Sequence, residues 1–274
     1  PRPPSVAATK ALTPISPMLK LAKMMGPRRM PAAPPMAPLM AKVWRIVRSM
    51  LMPISRAVSR SWAAARRHGA EVRESTPALR LLVEKSRIWG VETPAGRIAA
   101  GAVVLAAGAW SLQVEGHGLP PGSVRPVRGQ MGVVETRPPL LSRVVFSDKG
   151  YLVPRADGRI LCGATMEEVG FEKAVTAGGL LHVLGLAVEI APRLAQAPFA
   201  ECWSNFRPAT PDGSPILGPG ALPGLFYATG HYRNGILLTP ITADAVCAAV
   251  LGHPPPVDLA PFSPARLGAG RPAP

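Results

Sequence analysis

Two runs of residues carry types and spacing from which chemistry can be read. One is Gly230-His231-Tyr232-Arg233-Asn234-Gly235-Ile236-Leu237-Leu238-Thr239-Pro240, and the other, upstream of it, is Phe206-Arg207-Pro208-Ala209-Thr210-Pro211-Asp212-Gly213-Ser214-Pro215-Ile216-Leu217-Gly218. The first follows an apolar, strand-like segment, Leu225–Thr229, and opens a helix-like run from Ile236 to Leu251 with apolar residues at Ile236, Leu237, Ile241, Ala245, Val246, Ala249 and Val250. A strand that ends in Gly-x-x-x-Asn-Gly and opens a helix leaves backbone N–H groups unpaired at the helix start, a place for an electron-rich ligand edge. Arg233 stands at that start, where a cation is electrostatically unfavourable without a reason; surface placement is the plain alternative. His231 by itself reads as a structural histidine. Asp212 could be taken for a general base, but Asp-Gly between Pro211 and Ser214 is a turn sequence, and the turn is the preferred reading.

The elements that must position these runs follow from periodicity and punctuation. Ser55–His68 reads as a helix stopped by Gly69, with Arg66, Arg67 and His68 in the last turn, where cations suit the dipole. Ala70–Arg73, Leu79–Val83 and Ile88–Thr93 alternate like strands, with Pro94-Ala95-Gly96 as a turn. Val103–Ala106 is continuously apolar, as a strand covered on both faces would be. Val124–Glu135, Arg143–Phe146, Tyr151–Pro154 and Arg159–Gly163 read as a meander, and Phe171–Ile190 as a helix broken at Pro192. Ala200–Arg207, Ile216–Leu217 and Leu225–Ala228 read as further strands, and the Pro-rich stretch after Gly252 is expected to trail over the surface.

Further blocks stand in order along the chain: Val103-Val104-Leu105-Ala106-Ala107-Gly108-Ala109-Trp110, Pro126-Val127-Arg128-Gly129-Gln130-Met131, Tyr151-Leu152-Val153-Pro154-Arg155, and Gly158-Arg159-Ile160-Leu161-Cys162-Gly163-Ala164-Thr165-Met166. With the two C-terminal runs they resemble the glycine oxidase and D-amino acid oxidase family of FAD enzymes, and within it the glycine oxidases of thiamine biosynthesis. The resemblance covers residues 55–267. It implies an α/β plus antiparallel β fold: a partial, Rossmann-like FAD-binding domain with an inserted α+β substrate domain. The expected boundaries are 55–110 with 200–252 for the FAD-binding part and 111–199 for the substrate domain. A leader, 1–54, and a Pro-rich tail, 253–274, flank them.

The resemblance also implies an activity: oxidative deamination of glycine or another small amino acid by O2, giving an imine and hydrogen peroxide, with a place in supplying the thiamine thiazole. FAD would carry the hard step, so no catalytic side chain is implied; the protein must grip the substrate carboxylate and stabilise charge at the flavin edge. A planar guanidinium fork matches a carboxylate bidentately, and Arg207 matches the family's carboxylate-binding arginine. Arg233 matches a second arginine near substrate and flavin, and Tyr151 a tyrosine lining the substrate pocket. These assignments would put both arginines on the cofactor side and Tyr151 on the floor of the sheet domain. His231, Tyr232, Arg233, Asn234, Gly235, Ile236 and Leu237 match the flavin-contacting loop, largely through backbone, and Ala78 matches a residue that meets the cofactor through its main chain. The cysteine that tethers FAD in sarcosine oxidases would fall near Asn205, whereas Cys202 lies too early, so the FAD is expected to be non-covalent.

One family feature is missing: no G-x-G-x-x-G run, which would hold the FAD pyrophosphate, occurs in the 274 residues. Gly218-Pro219-Gly220 comes nearest, but its third glycine, Gly224, falls one residue late and the stretch reads as a loop. The leader instead holds eight of the ten methionines, eleven prolines, one glycine, nine basic residues and no acid. Prolines break any amphipathic period there. With Pro1 at its start, this stretch is expected to be out-of-frame or foreign sequence joined near Ser55; a disordered basic tail is the alternative. A non-catalytic remnant, unable to hold FAD, therefore stands beside the oxidase reading.

Composition bounds the remaining classes. The net charge of +15 would ordinarily suggest nucleic acid, but the leader carries most of it and no basic–aromatic module follows, so no specific nucleic-acid partner is expected. No apolar run reaches the length of a membrane span, and neither a membrane nor a targeting segment is expected. Cys162, Cys202 and Cys247 have no metal or disulfide spacing; they read as core packing in a reducing cytoplasm, with no metal. A homo-oligomer is left open.

Overall fold

The structure, a computed structural model, describes residues 63–268. The expectations for residues 1–54, and for the first part of the helix from Ser55, lie outside the described residues. Residues 63–67 are helical and end at Gly69, whose φ of +85° is one that glycine adopts without strain.

Three sheets follow. The first is an antiparallel meander of β1 (Arg80–Glu84), β2 (Arg87–Thr93) and β3 (Gly96–Ala99). Ala70–Arg73, expected as a strand, is irregular: Glu71 and Arg73 pair with each other at 2.7 Å on the exposed surface instead of meeting a neighbouring strand. The second sheet has β4 (Val103–Leu105) parallel to β11 (Leu225–Thr229), and β11 antiparallel to β10 (Ile216–Pro219). Here β4 ends the described sheet. Val104 is 41% exposed, so β4 is not covered on both faces as its apolar run suggested. One buried cluster joins these two sheets through Leu81, Ile88, Leu105, Ile216, Leu225 and Tyr227, each side chain contributing about 1.5–3 kcal/mol by its removal from water.

The third sheet has five antiparallel strands in the order β6 (Val145–Phe146), β7 (Tyr151–Pro154), β8 (Arg159–Gly163), β5 (Arg125–Glu135), β9 (Phe199–Ala209). Of the expected meander, β6, β7 and β8 pair in sequence, whereas β5 pairs with β8 and β9 instead of β6. The return of Ala200–Arg207 to the cofactor side is corrected, because β9 is paired to β5 from Arg125–Ala209 to Val134–Phe199. Helix α1 (Ala177–Ile190) covers one face of this sheet through a cluster of Val134, Leu152, Ile160, Cys162, Val183 and Ala187. It begins later than the expected Phe171. Thr176 is its cap, accepting from the Gly179 N–H at 3.1 Å, while the Thr176 N–H is held by Gln130 Oε1 at 2.8 Å.

Helix α2 (Gly235–Val250) follows β11 as expected. The chain beyond Gly252 docks rather than trails: Phe262 is 5% exposed, and Arg266 Nε meets Asp212 Oδ2 at 2.7 Å. Among the described residues, no helix is long and apolar enough to cross a membrane, and no group of His, Cys, Asp or Glu could hold a metal ion.

Candidate functional site

Residues opposite one another in a sheet share a face, and alternate residues return to it. The register therefore sets Phe146, Tyr151, Gly163, Met131 and Trp203 in one row across all five strands, on the face away from α1. Arg207 and Asn205 extend that face along β9, opposite Val127 and Gly129. Arg207 and Tyr151 thus belong to the same sheet and the same face, a correction to the cofactor-side placement of Arg207.

Both side chains lean inward. The Arg207 guanidinium lies over Gly129 of β5 and donates from Nη1 to the Thr165 carbonyl, 3.0 Å away beyond that strand. The Tyr151 ring lies over Gly163 of β8, stacks on Phe146 at 6.3 Å between centroids, and brings its hydroxyl 3.5 Å from Met131 Sδ. Positions 129 and 131 are two residues apart on one strand, roughly 7 Å. A guanidinium fork and a phenol are therefore held above neighbouring points of one surface, a spacing suited to a small carboxylate.

The segment after β8 connects this face to the second sheet. Thr165 holds Arg207, and the next residue, Met166, receives the Tyr232 hydroxyl at 3.4 Å and Arg233 Nη2 at 3.7 Å through its sulfur. The Tyr232 N–H donates to the Pro208 carbonyl at 3.0 Å. Arg207, from β9, and Arg233, from the loop between β11 and α2, thus close on consecutive residues. Arg233 also lies 5.7 Å from the centroid of the Tyr232 ring, a cation–π distance that offsets part of its unfavourable place at a helix start.

A network absent from the sequence-based site holds this segment in place. Arg128, 4% exposed, donates from Nε to Glu167 Oε2 at 2.5 Å, and Gln130 Nε2 donates to Glu167 Oε1 at 2.8 Å and to the Thr176 hydroxyl at 3.0 Å. The Gln130 N–H donates to Thr165 Oγ1 at 2.9 Å, and Arg128 and Glu167 exchange both backbone hydrogen bonds. Burial alone would raise the Glu167 carboxyl, but hydrogen bonds from Arg128, Thr165 and Gln130 outweigh it and hold the group below its ordinary range. The signal was legible: Arg128 and Gln130 put polar groups at alternate positions of an otherwise apolar strand, where a buried face demands partners.

The loop that opens α2 has the geometry of a ligand-edge site. Gly230 has φ +76°, and Tyr232 also lies in the left-handed region at +51°. The first-turn N–H groups of a helix have no intrahelical acceptor, and here Ile236 and the 72% exposed Leu237 offer apolar surface beside them. These features fit the edge of a flat, electron-rich ring: donors from the backbone, apolar contact from the side chains. His231 does not face that edge. Its Nε2 meets Thr242 Oγ1 at 2.9 Å, and burial pushes its pKa down to about 4, so the ring is neutral and structural. Asn234 and Gly235 sit at the helix entry, Asn234 in the capping position. Ala78 is exposed before β1, and no described hydrogen bond brings it to this loop.

The remaining candidates resolve simply. Asp212 forms the expected turn, accepting from the Ser214 N–H at 3.1 Å ahead of Gly213 at φ +70°. Burial would raise its carboxyl, but hydrogen bonds from Arg266 and Ser214 hold it low. Cys162 is buried, and desolvation pushes its thiol up to about 11. Cys202 is exposed on β9, the edge strand, and is not the core residue it was read as.

The FAD dependent oxidoreductase family model matches residues 27–249, a span that starts within the expected leader. A bifunctional protein ThiO/ThiG of Nostoc sp. is 43% identical over 194 residues, covering 69% of this chain and 29% of that protein. A glycine oxidase of Pseudomonas putida is 39% identical over 202 residues, covering 72% of this chain and 54% of that protein. The chain thus spans about half or less of the length of these relatives. Among solved structures, glycine oxidase from Geobacillus kaustophilus superposes with a TM-score of 0.71 at 39% identity, over 77% of this chain and 57% of that one. The chain belongs to the FAD-dependent oxidoreductase family.

Proposed function

We propose that this chain contributes the substrate half and the flavin-edge loop of an amino acid oxidase that deaminates glycine or a similarly small amino acid, producing hydrogen peroxide from O2, in the supply of the thiamine thiazole. The observation that carries the reading is the convergence of Arg207 and Tyr151 over β5, beside a loop that ties to Pro208 and ends in open helix N–H groups. The division of labour follows the sheets. Residues 111–209 form the substrate unit, and 63–110 with 216–252 belong to the cofactor unit.

In this reading Arg207 binds the substrate carboxylate through its fork, and Tyr151 donates its hydroxyl to the same group. Arg233 adds positive charge where substrate and cofactor meet. The neutral amine's α-C–H is aimed by these contacts over an apolar floor of Phe146, Met131 and Trp203. The backbone of residues 231–237 would hold the flavin edge, with Ile236 and Leu237 packing against it. FAD, when bound, supplies the acceptor for the substrate's hydride and passes the electrons to O2. The partners are a small amino acid and O2, in the cytoplasm.

The test is a flavin titration of the purified chain followed by a peroxide assay with glycine. Flavin bound in the visible spectrum, with peroxide release lost in Arg207→Ala, supports the oxidase reading. Bound flavin with peroxide release unchanged in Arg207→Ala overturns the carboxylate assignment. Failure to retain flavin favours the other reading named from the sequence, a remnant unable to hold FAD.

A further inference from the structure

Two glycines stand on the two inner strands between Arg207 and Tyr151. Gly129 on β5 lies between β9 and β8, and a Cβ built on it meets three atoms of one group: Nη1, Nη2 and Cζ of Arg207, all well inside van der Waals contact. Gly163 on β8 lies between β7 and β5, and a Cβ there meets Met131 Sδ at 2.5 Å and Tyr151 Cζ at 2.8 Å. Neither glycine has a positive φ, so neither is demanded by backbone conformation. What each position requires is the missing side chain. Gly132, also on β5, provides the contrast. Its Cβ would face α1 and meet Leu184 Cδ2 at 3.3 Å, Leu180 Cδ1 at 3.4 Å and Leu184 Cγ at 3.9 Å, farther contacts with side chains on the opposite face from Arg207 and Tyr151.

We infer that Gly129 and Gly163 are positioning residues of the carboxylate site: each is a window in an inner strand through which a long polar side chain crosses from the strand outside it. Through Gly129 the guanidinium of Arg207 passes over β5 to the Thr165 carbonyl. Through Gly163 the phenol of Tyr151 passes over β8 to Met131. Side chains in a sheet stand roughly perpendicular to it, and strands lie about 4.8 Å apart. To meet over β5, groups from β9 and β7 must lie nearly flat, and a methyl under either would lift it away. The windows act through Arg207 and Tyr151 and touch no substrate themselves. The inference rests on the proposed role of those two residues in gripping a carboxylate.

The experiment compares Gly129→Ala, Gly163→Ala and the opposite-face control Gly132→Ala in the full chain. Three readouts are taken: thermal melting, affinity for glycolate as a carboxylate probe, and the side-chain Nε–H resonance of Arg207, identified by its loss in Arg207→Lys. Gly129→Ala should move the Arg207 resonance and speed its hydrogen exchange. It should also lower glycolate affinity about tenfold or more, the scale of one lost charge-assisted hydrogen bond. Gly163→Ala should lower affinity while leaving the Arg207 resonance in place, and Gly132→Ala should alter neither. An Arg207 resonance unchanged in Gly129→Ala overturns the window, and so does an equal loss of affinity in Gly132→Ala. Affinity that survives Arg207→Ala overturns the carboxylate assignment instead, and the resonance still judges the window.

Discussion

The backbone N–H of Tyr232 donates to the carbonyl of Pro208 at 3.0 Å. This one bond joins the loop between β11 and α2 to the residue that follows Arg207. The loop's φ of +51° at Tyr232 is held at the junction. The bond ties the loop to the end of β9 that carries the carboxylate-binding candidate.

Replacing Arg207 by lysine should separate fork from charge. Lysine keeps the cation but loses the bidentate geometry. In a peroxide-coupled assay with glycine, Arg207→Lys should lower kcat/KM by about 10- to 100-fold, equivalent to about 1.5–3 kcal/mol. Unchanged kinetics would remove Arg207 from the site.

Glu167→Ala should be among the most destabilising single changes in the substrate unit. It strips the main carboxylate partner from Arg128, whose side chain is 5% exposed, and leaves Gln130 short of an acceptor. Breaking one side of a buried pair costs about 3 kcal/mol or more. Denaturant unfolding would measure it, and a loss below about 0.5 kcal/mol, the range of ordinary surface changes, would show that the network does not hold the Thr165–Met166 segment.

The Gly230→Ala variant tests the flavin-edge loop. A Cβ there would stand 2.5 Å from Thr210 Cγ2, on a backbone with φ +76°. The strain should cost about 1–3 kcal/mol in stability, and flavin affinity should fall with it. Retention of both would mean that the loop relaxes without consequence.

Stability should depend on pH through His231. Burial lowers its folded pKa to about 4 from the ordinary 6.5. Between those values the unfolded chain binds the proton and the folded chain does not, so stability falls as pH drops from neutrality towards 4. The contribution is on the order of 1–3 kcal/mol. His231→Gln, which can keep a hydrogen bond to Thr242, should flatten this part of the stability–pH curve; an unchanged slope would assign the effect to other groups.

Docking of the C-terminal stretch rests on Phe262 and on Arg266, which meets Asp212 and the Ser214 carbonyl, the latter at 2.7 Å. Phe262→Ala should cost about 3 kcal/mol and speed amide exchange across residues 252–268. Exchange unchanged from the parent chain would show that the stretch docks by other contacts.

Much of this protein is written locally. Alternation and turn residues determine β1, β2, β7, β8, β10 and β11 within a residue or two. The apolar stripe and the Gly-x-x-x-Asn-Gly start determine α2, and Asp212-Gly213 determines its turn. Arg207, Arg233 and Tyr151 were named through the family resemblance of the runs that hold them, and their roles are those proposed above. Local pattern does not choose strand partners: β9 reads the same whether it pairs with β5 or with β10, and only the five-stranded sheet decided for β5. That choice moved Arg207 onto the same face as Tyr151. It also made functional sense of residues with no chemistry of their own. Gly129 and Gly163 matter because of what crosses them, and Thr165 because of where its carbonyl points. Arg128 and Glu167 matter because burial forces them to pair. Each of these roles depends on a neighbour far away along the chain, and such contacts exist only once the sheet has formed.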